Sequence, residues 1–401
     1  MQDIELEQAI EVLLAHTTPV TETERVPLLD ALGRVAAEDV YAAFDNPPFD
    51  RSPLDGYTFA AASTADASAE HPVRLTVVGE ECAGDFFAGT VGAGACVRIM
   101  TGGAIPAGCD CVVRQEDVRE EGDAIFVPFT SQPFENYCYA GEDIKKDTLL
   151  LAKGQRIRAS QIAVLASEGH ADVCVHRRVR IAVASTGDEL LQPGEPLRPG
   201  KIYNSNLYLL AGRLKELGAE VTVVGSVPDA VERAAEVIAS YADRVDLFLT
   251  SGGVSVGKKD IMHGVVPALG AERLFWRVCM KPGAPAIAYT RGRMFGIALS
   301  GNPFAAYATF ELMARPAMAR LAGETDVLMS RRRAVLADAF PKPCHGRRFL
   351  RARMEADGRV SLPDQHASGS LFSAAGCDAF VDVPAGTPPL AAGAEVDVVI
   401  L

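Results

Sequence analysis

The sequence predicts an α/β plus β chain of several domains: a central doubly wound, mostly parallel sheet, a small β-rich domain inserted in a discontinuous linker domain, and a C-terminal β-barrel-like domain. Three observations carry this expectation. At 401 residues the chain exceeds what one hydrophobic core usually supports. From residue 180 onward, strand-like runs alternate with helical patterns, the mark of a parallel sheet covered on both faces. Two other stretches, 73–127 and 331–401, carry short alternating strands broken by Gly and Pro.

Taken in order, Leu6, Ala9, Ile10, Leu13 and Leu14 recur at helical spacing, so an amphipathic helix precedes the break at 17–19. A second short helix is expected around 26–32. Residues 45–55 (DNPPFDRSPLD) pack three prolines and three aspartates together, which excludes regular structure and leaves a shaped loop. The runs VRLTVVG, ACVRIM, CDCVVRQEDV and AIFVP then build the β-rich domain, set at 41–140. Residues 141–176 hold a further apolar helix at 159–167, expected to pack back on the first, so 1–40 and 141–176 form the linker domain. The α/β domain is set at 177–325, from RIAVAST through helices at 206–217 and 229–241 to VDLFLTSGG. Residues 326–401 form the barrel-like end.

Hydrophobic residues at 48% and charged residues at 23% are the balance of an ordinary globular protein. The net charge of −13 argues against broad binding of nucleic acid or anionic membrane, so an anionic ligand needs a local cationic pocket. None of the nine cysteines stands in C-x-x-C spacing, which argues against zinc and a disulfide framework. The acidic N-terminus lacks the pattern of a signal peptide, and no run approaches a membrane span of about 20 apolar residues. A cytoplasmic location is the default expectation.

Ligands of open α/β sheets sit at the carboxyl ends of strands, where TGDEL, TSGG and LSGNP all fall. TSGGVSVGKKD (250–260) is a glycine turn able to point backbone N–H groups of Ser251, Gly252 and Gly253 at an oxyanion; a purely structural β-to-α turn would use the same glycines. It misses the P-loop pattern because Lys259 stands where Ser or Thr should bind Mg²⁺. Asp260 adds a carboxylate suited to Mg²⁺ shared with phosphates. Asp188 and Glu189 in STGDEL suit a metal or base, or equally a helix N-cap. Arg277 and Lys281, four apart in FWRVCMKPGAP, share one face if the segment is extended; they form a paired cation site or a solvated edge pair. Asn302 in SGNP reaches a ligand or caps the next helix. Gly253 to Gly257 spell G-x-S-x-G around Ser255, but the turn falls before that serine, against a nucleophile elbow. The seven histidines show no H-E-x-x-H spacing and read as surface or core.

DNPPFDRSPLDGYTF, VRIMTGGAIPAGCDCVVRQED, GEDI, STGDEL, KIYNSN, TSGGVSVGKKD, KPGAP and SGNP follow in the order found in molybdopterin molybdenumtransferases, bacterial relatives of the C-terminal domain of gephyrin. The resemblance spans nearly the whole chain and implies a molybdopterin-binding-like α/β domain. It implies that molybdate and adenylylated molybdopterin are the substrates, AMP and molybdenum cofactor the products, and Mg²⁺ the metal, held by Asp260 and Glu189. Asp55, Thr101 and Asp143 are the implied catalytic positions of the first half. In a homodimer they would face Glu189, Asp229, Asp260, Arg277 and Lys281 of the partner subunit. Ser251, Gly252, Gly253 and Asn302 are expected in substrate binding from their turns, Arg277 from its cation pair and the resemblance together, and the resemblance implies Arg351 and Ser368 in holding molybdate. A molybdopterin adenylyltransferase is the implied transient partner.

The chain departs from the family pattern in three places. Arg277 stands where lysine is common, Ala284 replaces the second lysine of K-P-G-K-P, and the segment His366 to Ser368 differs from Q-G-S. Two alternatives accompany the transferase reading: a pterin adenylyltransferase, against which the extra β domains argue, and a weakened paralogue or scaffold, against which Asp55, Asp260 and Lys281 argue.

Overall fold

The structure is a computed structural model and describes residues 1–255 and 260–401. The chain divides into two compact units, one of Met1–Glu38, Lys153–Arg158 and Asp172–Leu401, the other of Asp39–Ala152 and Ala159–Ala171.

The larger unit is built on a seven-stranded mixed sheet. Its order is Gln2–Ile4, Glu272–Val278, Ile287–Arg291, Met294–Leu299, Leu247–Ser251, Arg180–Thr186 and Glu220–Val227. Pairing is parallel except where Ile287–Arg291 runs antiparallel to both neighbours. Period-two alternation sends successive side chains to opposite faces. Ile181, Val183, Leu247 and Leu249 join Leu210, Leu214 and Phe304 in one core, whereas Ala182, Ala184 and Phe248 join Ile238, Met262 and Val265 in the other. Each fully buried Leu, Ile or Phe contributes about 1.5–3 kcal/mol, so both faces of the sheet are firmly held.

The N-terminal segment belongs to this sheet rather than standing apart. Gln2–Ile4 pairs in parallel with Glu272–Val278, and Leu6, Ala9 and Leu13 of the helix Leu6–Ala15 are buried in the first core. A three-residue edge strand is too short for any periodic signal. That helix packs on Arg315–Leu321; Ala159–Ser167, which the sequence reading expects to pack on it, belongs to the other unit and lies against Leu149–Leu151. The helix expected at 26–32 is instead the strand Thr23–Pro27 followed by one 3₁₀ turn, Leu28–Ala31. Val26 is β-branched, and Pro27 forbids a helical hydrogen bond at that point; the strand pairs with Asp172–His176.

Five strands, Arg331–Leu336, Arg359–Ser361, Arg348–Met354, Ala379–Val383 and Glu395–Ile400, close a barrel within the same unit. Leu350, Ala352, Val381 and Val398 fill it. Their strand neighbours Phe349 and Phe380 face outward into the first core, where Phe380 meets Phe304 edge-on at 5.8 Å. The barrel is thereby fastened to the helix that begins at Pro303.

The smaller unit carries a six-stranded sheet in the order Cys111–Arg114, Gly56–Phe59, Ala95–Ile99, Val73–Glu81, Ala124–Val127 and Arg119–Glu121. Phe59, Leu75 and Ile125 are fully buried in it.

Candidate active site

Within the larger unit a cavity of about 1320 Å³ opens between the carboxyl edge of the sheet and one wall of the barrel. It exceeds the roughly 300–1,000 Å³ of common small-molecule pockets, giving room for a nucleotide-sized ligand with an oxyanion beside it. Three strand ends form its floor. Arg180–Thr186 leads into Gly187, Leu247–Ser251 into Gly252 and Gly253, and Met294–Leu299 into Ser300, Gly301 and Asn302.

The double-glycine turn has a steric cause. Gly252 and Gly253 sit at φ +102° and +69°, and a Cβ on Gly252 would lie 2.7 Å from the Thr186 carbonyl oxygen. Only glycine takes such a conformation at this approach. Neighbouring turns are then tied together: the Ser251 hydroxyl donates to the Ser300 carbonyl (3.1 Å), and Asn206 Nδ2 donates to Ser251 Oγ (2.8 Å) and the Gly301 carbonyl (2.9 Å). Asn204 caps the helix Ser205–Glu216, its Oδ1 accepting from Leu207 N and from the Ser185 hydroxyl. Asn204 Nδ2 and Asn206 Oδ1 are buried with no hydrogen-bond partner among the described residues. Buried polar atoms are normally satisfied, so this floor has capacity to bind a polar ligand.

Ser251, Gly252, Gly253, Glu189, Asp229, Asp260, Lys281, Asn302 and Ser368 all line this one cavity. The helix-capping reading of STGDEL falls, because residues after Glu189 enter the short strand Leu190–Leu191; Asp188 N donates to Asp229 Oδ2 at 3.3 Å. Asn302 stands at the N-cap of Pro303–Thr309 without a side-chain cap bond. Ser255 comes after the glycine turn, its carbonyl accepting from His263 Nε2 at 3.0 Å. Gly257, Lys258 and Lys259, and with them the end of the near P-loop pattern, lie outside the described residues.

Two expected cations are placed differently. Arg277 is absent from the described lining: its φ of +66° and the register shift before Phe275 break the alternation that would align it with Lys281. Its Nε instead lies 3.1 Å from Asp3. Arg351 is fully buried behind the cavity wall. Its guanidinium stacks on the Phe304 ring at 3.6 Å and donates to the carbonyls of Ala367 (2.6 Å) and Ser370 and to the Ser373 hydroxyl. Burial pulls its pKa down to about 10. Arg351 therefore shapes the segment carrying Ser368, whose carbonyl accepts from Phe304 N at 2.9 Å. The sequence reading missed Lys342, Arg348 and His366, all of which line the cavity. No motif marked Lys342 or Arg348, and His366 stood out only as the first residue of a segment that departs from the family's Q-G-S; all three lie far along the chain from the strand-end turns.

In the smaller unit the proline-rich loop is pinned as a shaped loop. The Asp50 carboxylate accepts from the Tyr137 hydroxyl (2.6 Å) and Ala140 N (2.7 Å). Asp55 and Thr101 meet, Asp55 Oδ1 accepting from both Thr101 N and Thr101 Oγ1 at 2.7 Å; these bonds hold the carboxyl below its usual range. Asp143 N donates to the Asn46 carbonyl at the start of the same loop.

The donors suit Mg²⁺ in kind. Glu189, Asp229 and Asp260 offer hard carboxylate oxygens along one cavity, and Mg²⁺ needs only one or two carboxylates when substrate phosphates complete its shell. No preformed group of three His, Cys, Asp or Glu is poised to hold a metal among the described residues.

A large cavity at the carboxyl edge of a mostly parallel sheet, with glycine turns and charged walls, defines the class of α/β ligand-binding enzymes. Comparison with known proteins narrows the class. Family models match over residues 4–169 ("MoeA N-terminal region (domain I and II)"), 182–320 ("Probable molybdopterin binding domain") and 333–401 ("MoeA C-terminal region (domain IV)"). A molybdopterin molybdenumtransferase of Bacillus subtilis is 37% identical, the match covering 97% of this chain and 92% of the relative. One of Staphylococcus epidermidis is 34% identical over 99% and 95%. The crystal structure of a molybdopterin biosynthesis moeA protein from Pyrococcus horikoshii OT3 superposes with a TM-score of 0.86 at 30% identity, covering all of both chains. The chain belongs to the molybdopterin molybdenumtransferase family.

Proposed function

We propose that the chain is a molybdenum insertase: it transfers molybdate to adenylylated molybdopterin, releases AMP and leaves molybdenum cofactor. The observation that carries this reading is the convergence of Glu189, Asp229, Asp260, Lys281 and Ser368 on one cavity in a member of this family. The glycine turn at Gly252 and Gly253 would receive phosphate oxygens on backbone N–H groups. Asn206 braces that turn through Ser251 and Gly301, and Asn204 and Asn206 keep spare polar atoms for the ligand. Lys281 would stabilise charge where two anions meet, an electrostatic contribution that a chain of net charge −13 must supply locally. Glu189 and Asp260 would hold Mg²⁺, which polarises the pyrophosphate bond when bound.

On the strength of the resemblance, the reading extends to a homodimer in which Asp55, Thr101 and Asp143 of one copy serve the cavity of the other, to a molybdopterin adenylyltransferase as transient supplier of substrate, and to a cytoplasmic setting. No helix among the described residues is long and apolar enough to cross a membrane. The test is reconstitution: purified chain with Mg²⁺, molybdate and adenylylated molybdopterin should release AMP and yield cofactor that activates an apo-molybdoenzyme. No AMP release would overturn the reading. Mixing inactive Asp55→Asn and Lys281→Ala chains should restore part of the activity if the site spans two copies, and none if it does not.

A further inference from the structure

The barrel wall of the cavity contains an arrangement of charge that a folded protein does not keep for stability. Lys281 bridges in parallel to Arg348. Lys281 N donates to the Arg347 carbonyl at 2.9 Å and the Lys281 carbonyl accepts from Phe349 N at 2.8 Å, so the backbone bonds flank Arg348 on both sides. Residues paired by such a bridge sit on neighbouring backbone segments about 4.8 Å apart, with their side chains on one face. Both line the cavity. Like charges directly opposite are destabilising, and here no ion pair to either is found among the described residues.

The surroundings add to the positive field. Lys342 lines the same wall. Phe340 holds two of the groups in place, with the Arg348 guanidinium 5.1 Å from its ring and His366 edge-on at 5.4 Å. Burial and the charges of Arg351, Arg348 and Lys342 push the His366 imidazole down to about 4, so at neutral pH it is an uncharged ring beside the cations. Two acids, Asp338 and Asp364, line this wall too, but Asp338 Oδ2 is engaged by Leu362 N at 2.9 Å.

We propose that Arg348, paired with Lys281 across this bridge, is a substrate-binding residue that seats a tetrahedral oxyanion of the molybdate class, while the buried Arg351 only positions the adjoining segment. The inference rests on the insertase reading and deepens it by assigning the oxyanion subsite to a residue that the sequence motifs do not mark. A divalent oxyanion between the two cations turns a repulsive pair into two charge-assisted contacts, and Ser368 lies on the same wall to donate a third.

The experiment is equilibrium dialysis of the full chain with radiolabelled molybdate at pH 7 and low salt. Arg348→Gln should weaken binding at least tenfold. Arg348→Lys, which keeps the charge, should stay within about threefold of wild type, and Arg359→Gln, on the exposed side of the barrel, should bind as wild type. An Arg348→Gln chain that binds molybdate like wild type overturns the proposal, as does a wild-type chain with no saturable binding. Either result would leave AMP release by the wild-type chain untouched. Conversely, Arg348-dependent binding without any AMP release would sink the insertase reading and keep the oxyanion seat.

Discussion

Replacing Arg351 by Met separates a strut from a ligand. The guanidinium holds two carbonyls, of Ala367 and Ser370, and the Ser373 hydroxyl, and lies on the Phe304 ring. A buried acceptor left unpaired costs about 1–3 kcal/mol, and loss of the ring stacking adds about 0.5–2 kcal/mol. Against this, Met removes a buried cation with no carboxylate partner among the described residues, which returns part of the cost; Ala367 is exposed enough for water to take over one bond. The net expectation is a loss of about 2 kcal/mol. Trp276 is the single tryptophan of the chain and belongs to this unit, so urea unfolding followed by its fluorescence reads the change. A variant as stable as wild type, or more stable, would refute the reasoning and return Arg351 to the role of an oxyanion ligand held in reserve.

Further outcomes follow from the same geometry. Gly252→Ala should lower stability by at least about 2 kcal/mol, because it combines a left-handed φ with a Cβ 2.7 Å from the Thr186 carbonyl. Gly301→Ala, whose nearest contact would be an ordinary 3.5 Å, should unfold near wild type in the same urea titration; equal losses in both would contradict the steric account. His366→Asn addresses pH. With the imidazole held near 4 in the fold against about 6.5 when unfolded, the unfolded chain takes up the proton first as pH drops. The penalty is absent above about 6.5, grows down to about 4 and is then constant. After discounting for partial exposure it amounts to about 1–2 kcal/mol. Unfolding at pH 7.5 and 4.5 should show a smaller acid loss for the variant, and an identical loss would rule the imidazole out.

How much was legible in the sequence depended on the range of the physics involved. Turns and periodicities are local, so the strands of the α/β sheet and the TSGG, STGDEL and SGNP strand ends were readable, and these strand ends do gather at one cavity. The edge strand Gln2–Ile4 was invisible because three residues carry no period, and its pairing partner lies some 270 positions away. Arg277 was misplaced for a different reason: an extended segment was assumed, and one residue at φ +66° sends the side chain to Asp3 instead. Arg351 and Arg348 lie three apart in one strand and so point to opposite faces, but only tertiary packing decides which face is sealed behind Phe304 and which meets the cavity. Arg348 brings a cation to the cavity that also contains Ala284, where the family pattern would have placed a second lysine.

The central claim is that Lys281 acts on the oxyanion inside this cavity, and AMP release measured against molybdate concentration for wild type and Lys281→Met tests it most directly. The expected result is a rise of at least tenfold in the molybdate KM, or turnover too low to saturate, with the chain still folded by its Trp276 fluorescence. Superimposable molybdate curves for the two proteins would contradict the account.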